Sequence, residues 1–525
     1  MNRREFFQST AAAAVASGAS ATAGTFKAGY AERDVSPKIG MEQPSGYGKL
    51  YHTKFHDPCK VRAVVYDNGA RRATLVGVDA GSVPRSLVLA VRGEVERRCG
   101  IPPAAVMIGA SHSHSAGPIG GIEPGEYDGA GELVRRLAYE QSTVDNPEYV
   151  EFVRRQAVEA ICEADRTRAP GRSGAGVGRE EKVAFNRRFR MKNGQSWTHP
   201  GQGNPDVIGP AGPVDPAVGV IGTWDTAGRL VGCVVNFSCH ATTNPPGISA
   251  NWIYYMEQMI RGAFGKDAVV VFLQGTSGDV TQVDNLSPYC RPTGDQEARF
   301  VGGRIGAEAV KVLLTMYPDT LAPVAVDSTV LRIPRRAPSA RRVERCLEIV
   351  RQDPKAVGVT EWTFAKEIVM LDAKIRRQPA AEVEVQAVQV GPVAFLSNPA
   401  ELFCEFGLEL RRRSAFPLTF PVGLANGVVG YVPTEEALCP YGGGYETRLT
   451  SFTNLVPSAG RQMVEAGLAL AARMQPRRIP EPPKAPPFRT SPGGIGSTPW
   501  TYGNVPPELE SITGVAHDRF GNNER

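Results

Sequence analysis

Four short stretches of this chain are almost wholly apolar: Ala105 to Ile108, Leu230 to Phe237, Ala268 to Leu273 and Val393 to Leu396. A strand that is apolar at consecutive positions has no solvated face, so it must be covered on both sides. Helical patterns stand between these runs. One covers Ser86 to Cys99 and stops at Gly100, with Pro102 beyond it. Asn146-Pro147 opens another, with the stripe Val150, Val153, Ala157, Ala160 and Ile161. Asp295 to Met316 and Ser458 to Met474 read as two more, and Ser339 to Arg351 and Thr360 to Arg377 as a surface layer. Hairpins are expected at Asp67-Asn68-Gly69 and Ala227-Gly228. Covered strands alternating with helices predict an α/β fold, with a large mixed or parallel β-sheet core covered by helices. The sequence shows no internal repeat.

Composition narrows the class without naming a function. With 42% hydrophobic and 22% charged residues, the 525-residue chain is ordinary for a globular protein. Its formal charge of +5 is spread thinly, and no basic run interleaves with aromatics, which argues against nucleic acid as a partner. Nine cysteines include no C-x-x-C pair and declare no disulfide framework. Residues 1–23 carry Arg3-Arg4, Phe6-Phe7 and an Ala-rich run, and read as a twin-arginine export signal that leads to the periplasm or outside. No later stretch is apolar for long enough to span a bilayer. The organisation expected is therefore export signal 1–23, one catalytic unit 24–475, and a Pro/Gly-rich tail 476–525.

The ends of the apolar strands carry the chemistry. The first runs into Ser111-His112-Ser113-His114, and in extended chain both imidazoles look to one side. The next ends at His240, a third in the loop Gln274 to Asp279, and a fourth at Glu401, with Tyr431 further on. Ligands in α/β proteins bind at carboxyl ends of strands. Imidazoles, a carboxylate and a phenol together make an N/O set that suits zinc, although the spacing does not decide which of them bind it. Cys239 should alternate to the opposite face from His240, into the core.

These segments resemble the catalytic domain of the neutral, non-lysosomal ceramidases, over roughly Ala28 to Met474. The motifs are Ala110 to Pro118, Asn236 to His240, Gly278-Asp279-Val280, Asn398 to Glu401 and Gly430 to Thr434, supported by Phe185-Asn186-Arg187 and Val214-Asp215-Pro216. The resemblance implies zinc held by His112, His240, Glu401 and Tyr431. It implies that His114 acts on substrate beside the metal and that Arg187 helps hold the substrate oxygen. The implied reaction is hydrolysis of an acyl amide in ceramide or a ceramide-like N-acyl lipid, with peripheral contact at a membrane surface. A zinc esterase or lactonase, and a non-catalytic lipid or envelope binder on the same fold, are the alternatives. Two departures stand out. The family has a serine where this chain has Gly275, and Ser277 does not fill that place. The family also continues into a β-sandwich domain, where this chain has its Pro-rich tail.

Overall fold

A computed structural model describes residues 26–44 and 46–484. Residues 1–23, expected to be an export signal, and the expected tail beyond residue 484 lie outside the described residues.

The backbone repeats one topological unit three times. The first unit contains β1 (Lys27–Asp34), β2 (Lys60–Asp67), β3 (Arg72–Val78), α1 (Arg85–Cys99), β4 (Val106–Ala110) and α2 (Pro147–Arg166). In the second they are β5 (Arg172–Arg179), β6 (Ala217–Trp224), β7 (Leu230–Phe237), α3 (Trp252–Phe264), β8 (Val269–Gln274) and α4 (Asp295–Thr315). The third has β9 (Val324–Pro334), β10 (Ala380–Val390), β11 (Val393–Ser397), α5 (Cys404–Arg413), β12 (Leu418–Val422) and α6 (Ala459–Ala471). In each sheet these four strands have the same order, fourth-third-second-first, and the first sheet carries the two-residue strand Ala169–Pro170 beyond its β1 edge. In each, the first three strands meander antiparallel and the fourth lies parallel to the third. A parallel neighbour requires a crossover, which α1, α3 and α5 supply.

This arrangement explains why the apolar runs have no solvated face. The inner faces of the three sheets share one core, in which Leu75 and Met107 of the first meet Val234 and Val271 of the second and Phe395 and Phe420 of the third. The outer faces are covered by helix pairs: α1 and α2, α3 and α4, α5 and α6. Every strand in the middle of a sheet thus has protein on both sides. The α/β class is as expected, and the strands are shared mainly among these three sheets. The repeat, which the sequence does not show, lies in the topology.

Local signals hold at most boundaries. Asn146 caps α2 by accepting from the Tyr149 amide, and Gly100 ends α1 in a left-handed conformation. Cys99 and Cys162, at the ends of these two helices, form a disulfide. Phe185-Asn186, in the segment that supports the resemblance, forms a short strand paired with Val280–Thr281. Helix Val359–Arg377 is no simple surface layer. With helices Glu132–Tyr139 and Ala340–Ile349 it builds a separate small core around Tyr127, Trp362 and Met370, and one of its faces lines a cavity. No helix among the described residues is long and apolar enough to cross a membrane.

Candidate metal centre

All three units send residues from the carboxyl ends of their strands to one place. His112 and His114 follow β4, His240 follows β7, and Glu401 follows β11. Backbone bridges join these ends: Ser113 pairs with Ala241, and Gly109 with Ala425. Glu401 and Tyr431 are paired residues of two short parallel strands, Glu401–Leu402 and Tyr431–Val432. Gly278 makes room for this pairing, since a Cβ there would lie 2.3 Å from the Glu401 carbonyl oxygen. His112 has a φ of 63°, a conformation that costs a non-glycine residue energy and clusters at functional sites.

The buried imidazoles are fixed from behind. His112 Nδ1 donates to the Gly81 carbonyl at 2.7 Å and His240 Nδ1 to the Val280 carbonyl at 2.9 Å. Both Nε2 atoms stand 3.1 Å from the same oxygen, Oε2 of Glu401. His240 Nε2 and Glu401 Oε2 have no hydrogen-bond partner, although both are buried. Buried acceptors aimed at one another are costly unless a cation sits among them. Two ligand atoms bound to one tetrahedral zinc stand about 3.3 Å apart, so these spacings fit such an ion. Carbonyl-anchored histidines are the usual outer support of a metal site. His112, His114 and His240 together could also hold an ion, their ligand atoms lying within 4.8 Å of one another. His114 Nε2 approaches His112 Nε2 at 3.5 Å, and no backbone carbonyl fixes its ring.

Electrostatics keep the set ready to bind. Burial, with help from Arg187 and His112, pushes the His240 imidazole down to about 3, so the ring is neutral. Burial likewise lowers His114 well below its usual range. Burial pulls the Glu401 carboxyl upward, but His112 and His240 outweigh it and hold it well below the carboxylate range. Burial and Glu401 raise the Tyr431 phenol well above its ordinary value.

Arg187 lies behind Tyr431 and does not line the cavity. Its guanidinium donates to Glu446 at 2.7 Å, to the Gly278 carbonyl at 2.7 Å and to the Tyr431 hydroxyl at 3.2 Å. Tyr445 was not foreseen. Its hydroxyl is 3.0 Å from that of Tyr431, its ring lies under Arg187, and it faces the cavity. The Gly443-Gly444 pair before it was the one local hint of a tight approach.

His112, His114, Glu401, Tyr431 and Tyr445 form one end of a cavity of about 830 Å³. Cys239 is in the core, as alternation required. Ser277 is buried, accepts from Gln274 at 2.6 Å and does not line the cavity. A Cβ at Gly275 would fall 2.1 Å from the Ser238 hydroxyl and 3.0 Å from the Ser238 Cα. A serine could not be added at 275 without displacing Ser238.

Two solved structures share this architecture. The chain matches the neutral ceramidase of Pseudomonas aeruginosa with a TM-score of 0.65 at 20% identity, over 87% of this chain and 76% of that one. It matches a ceramidase complexed with C2 with a TM-score of 0.62 at 19% identity, over 87% and 77%. The fold is that of neutral ceramidase. No family model matches the sequence, and no curated protein does. At such low identity the ceramidase likeness establishes the fold, and the chemistry has to be argued from the residues.

Proposed function

We propose that this chain is a zinc-dependent hydrolase of the neutral ceramidase family that cleaves an acyl amide. The observation that carries the reading is the convergence of two carbonyl-anchored imidazoles on one orphaned carboxylate oxygen at the floor of a cavity. His112, His240 and Glu401 would hold the ion, with Tyr431 as a further ligand. Held there, a divalent ion would supply Lewis acidity toward a carbonyl oxygen and toward water.

The chain's own groups supply the remainder. His114 faces the cavity beside the ligands, free of any carbonyl anchor, and is placed to take a proton from the attacking water and pass it to the departing amine, or to steady the oxygen of the tetrahedral intermediate through its N–H. Tyr445 presents a hydroxyl to the same space. Arg187 orients the Tyr431 phenol and stabilises negative charge on it. With Gly275 where the resemblance has serine, and Ser277 turned into the Gln274 loop, water rather than a side chain is the nucleophile.

Metal analysis of the purified protein, joined to a panel of N-acyl amides including a ceramide, tests this. Activity should vanish with a chelator and return with zinc. A metal-free protein that still hydrolyses amides would end the reading. We further infer export: the Arg3-Arg4 segment is the signal, and the Cys99–Cys162 disulfide suits an oxidising compartment. Replacing both arginines by lysine should leave the chain uncut in the cytoplasm, and normal secretion of that variant would refute the assignment.

A further inference from the structure

The cavity wall is only partly apolar: beside Ile122, Val428, Val429 and Phe452 it carries a charged stripe. One face of helix Val359–Arg377 supplies Glu367, Met370, Lys374 and Arg377, a stripe at helical spacing, and Arg335 stands beside it. Most of the charges here are already matched. Lys374 pairs with Glu126 at 2.9 Å, Glu367 with Lys366 at 3.5 Å, and Arg85 with Glu384 at 2.8 Å. Two guanidiniums are left over among the described residues. Arg335 is half-buried, yet it donates only to neutral acceptors: Asn454 Oδ1 at 2.6 Å, the Gln378 carbonyl at 3.1 Å and Gln378 Oε1 at 3.3 Å. Arg377 reaches only the Gly125 carbonyl, at 3.5 Å.

Arg335 donates to Gln378, the residue next to Arg377, so the two guanidiniums line neighbouring parts of the wall. Burial, Glu126 and Glu367 push the nearby Tyr127 phenol up, while Arg377 and Arg335 both pull against them. Arg335 is desolvated, and the carboxylate acting on it, Glu126, is already paired with Lys374, so a bound anion would offset the cost. Glu123, the wall carboxylate with no cation beside it, is engaged by Ser86 at 2.5 Å.

Building on the amide-hydrolase reading, we propose that the substrate is an acyl amide bearing a carboxylate, and that Arg335 and Arg377 bind this group against helix Val359–Arg377. A neutral two-chain lipid would lay hydrocarbon over the charged stripe and leave both guanidiniums unanswered. An N-acyl amino acid answers them and still presents its amide to the metal end.

The test compares N-dodecanoylglycine, N-dodecanoylethanolamine and N-dodecanoylsphingosine on the zinc-loaded enzyme. The glycine conjugate should be favoured about tenfold or more in kcat/KM, through KM, as one charge-assisted contact allows. Arg335→Gln with Arg377→Gln should collapse the ratio to within about threefold, and Arg335→Lys should keep part of it. Equal or better turnover of the neutral amides by the wild type overturns the proposal and leaves the amide-hydrolase reading intact. So does a ratio unchanged in the double variant. Calorimetric binding of the glycine and ethanolamine conjugates reads the same preference without turnover. Selective binding that depends on the arginines, with no hydrolysis of any amide, upholds the anion site and ends the hydrolase reading. Absence of any preference in binding ends the proposal.

Discussion

Two buried polar clusters lie at equivalent strand ends, and they differ in whether their charges close. Asp79 follows β3, as His240 follows β7 and Glu401 follows β11. Asp79 is met at 2.8 Å by Arg62, which also grips Glu257 of α3. Lys60 reaches Glu257 at 2.6 Å and Glu32 at 2.8 Å, and Arg261 joins both carboxylates. Three cations meet three anions, and every charge has a protein partner. At the candidate metal centre, two carbonyl-anchored imidazoles converge on one carboxylate, and His240 Nε2 and Glu401 Oε2 find no protein partner. A closed cluster holds the first sheet to α3. An open one is complete only when something positive arrives.

One substitution made in each cluster sharpens the contrast. Glu401→Gln should reduce bound zinc from stoichiometric to negligible and abolish turnover, by metal analysis and assay. Without ion, the same variant should be more stable than wild type, by up to ~1–3 kcal/mol, because the amide can donate to an orphaned nitrogen. His240→Ala should lose the ion as well. His114→Ala should keep it and lose roughly 10²–10⁴-fold in turnover. Equal zinc loss in both histidine variants would make His114 a ligand.

Glu257→Gln should act in the opposite sense, leaving zinc content unchanged and lowering stability by about 3–5 kcal/mol in denaturant titrations, since it strands buried cations. The pH dependence follows from the same pairings. Burial raises the Glu257 carboxyl, but Arg62, Lys60 and Arg261 outweigh it and carry it down to about 2. Its folded-state value is depressed, so its contribution is present above the unfolded value near ~4.3 and is lost as pH falls toward 2. Wild type should lose ~3 kcal/mol across that window, and Glu257→Gln should show a flatter profile.

The smallest effect is expected at Gly275. Gly275→Ser should cost about 1–3 kcal/mol by crowding Ser238, and it should create no covalent nucleophile. A fluorophosphonate should label neither variant nor wild type. Stoichiometric labelling of Ser277 would show that the water mechanism is wrong.

Much of this was legible in the sequence, because buried strands and capped helices carry local signals. Leu230 to Phe237 could only be a covered strand, and the chemistry at its end followed. The resemblance to the ceramidases supplied the ligand roles that spacing left open, and His112, His240 and Glu401 do meet. The stripe on Val359–Arg377 was read as surface because a polar face turned to a cavity and one turned to bulk water have the same pattern. Tyr445 escaped because its place beside Tyr431 is set by a loop closing over Arg187, and no periodicity records such a contact. The threefold repeat escaped because its units share strand order and pairing, while each fills its core with different side chains.

That repeat bears on how the molecule is assembled. Each unit is a contiguous piece of chain whose strands pair within it, so its sheet closes over short sequence distances. The proposed ion site draws no complete set of donors from any single unit, and it comes into existence only after all three have docked. Its occupancy therefore reports quaternary-like assembly inside a single polypeptide. A bound ion acts as a shared fastener, adding about 1.4 kcal/mol to the docked state for each tenfold rise in free ion above its Kd.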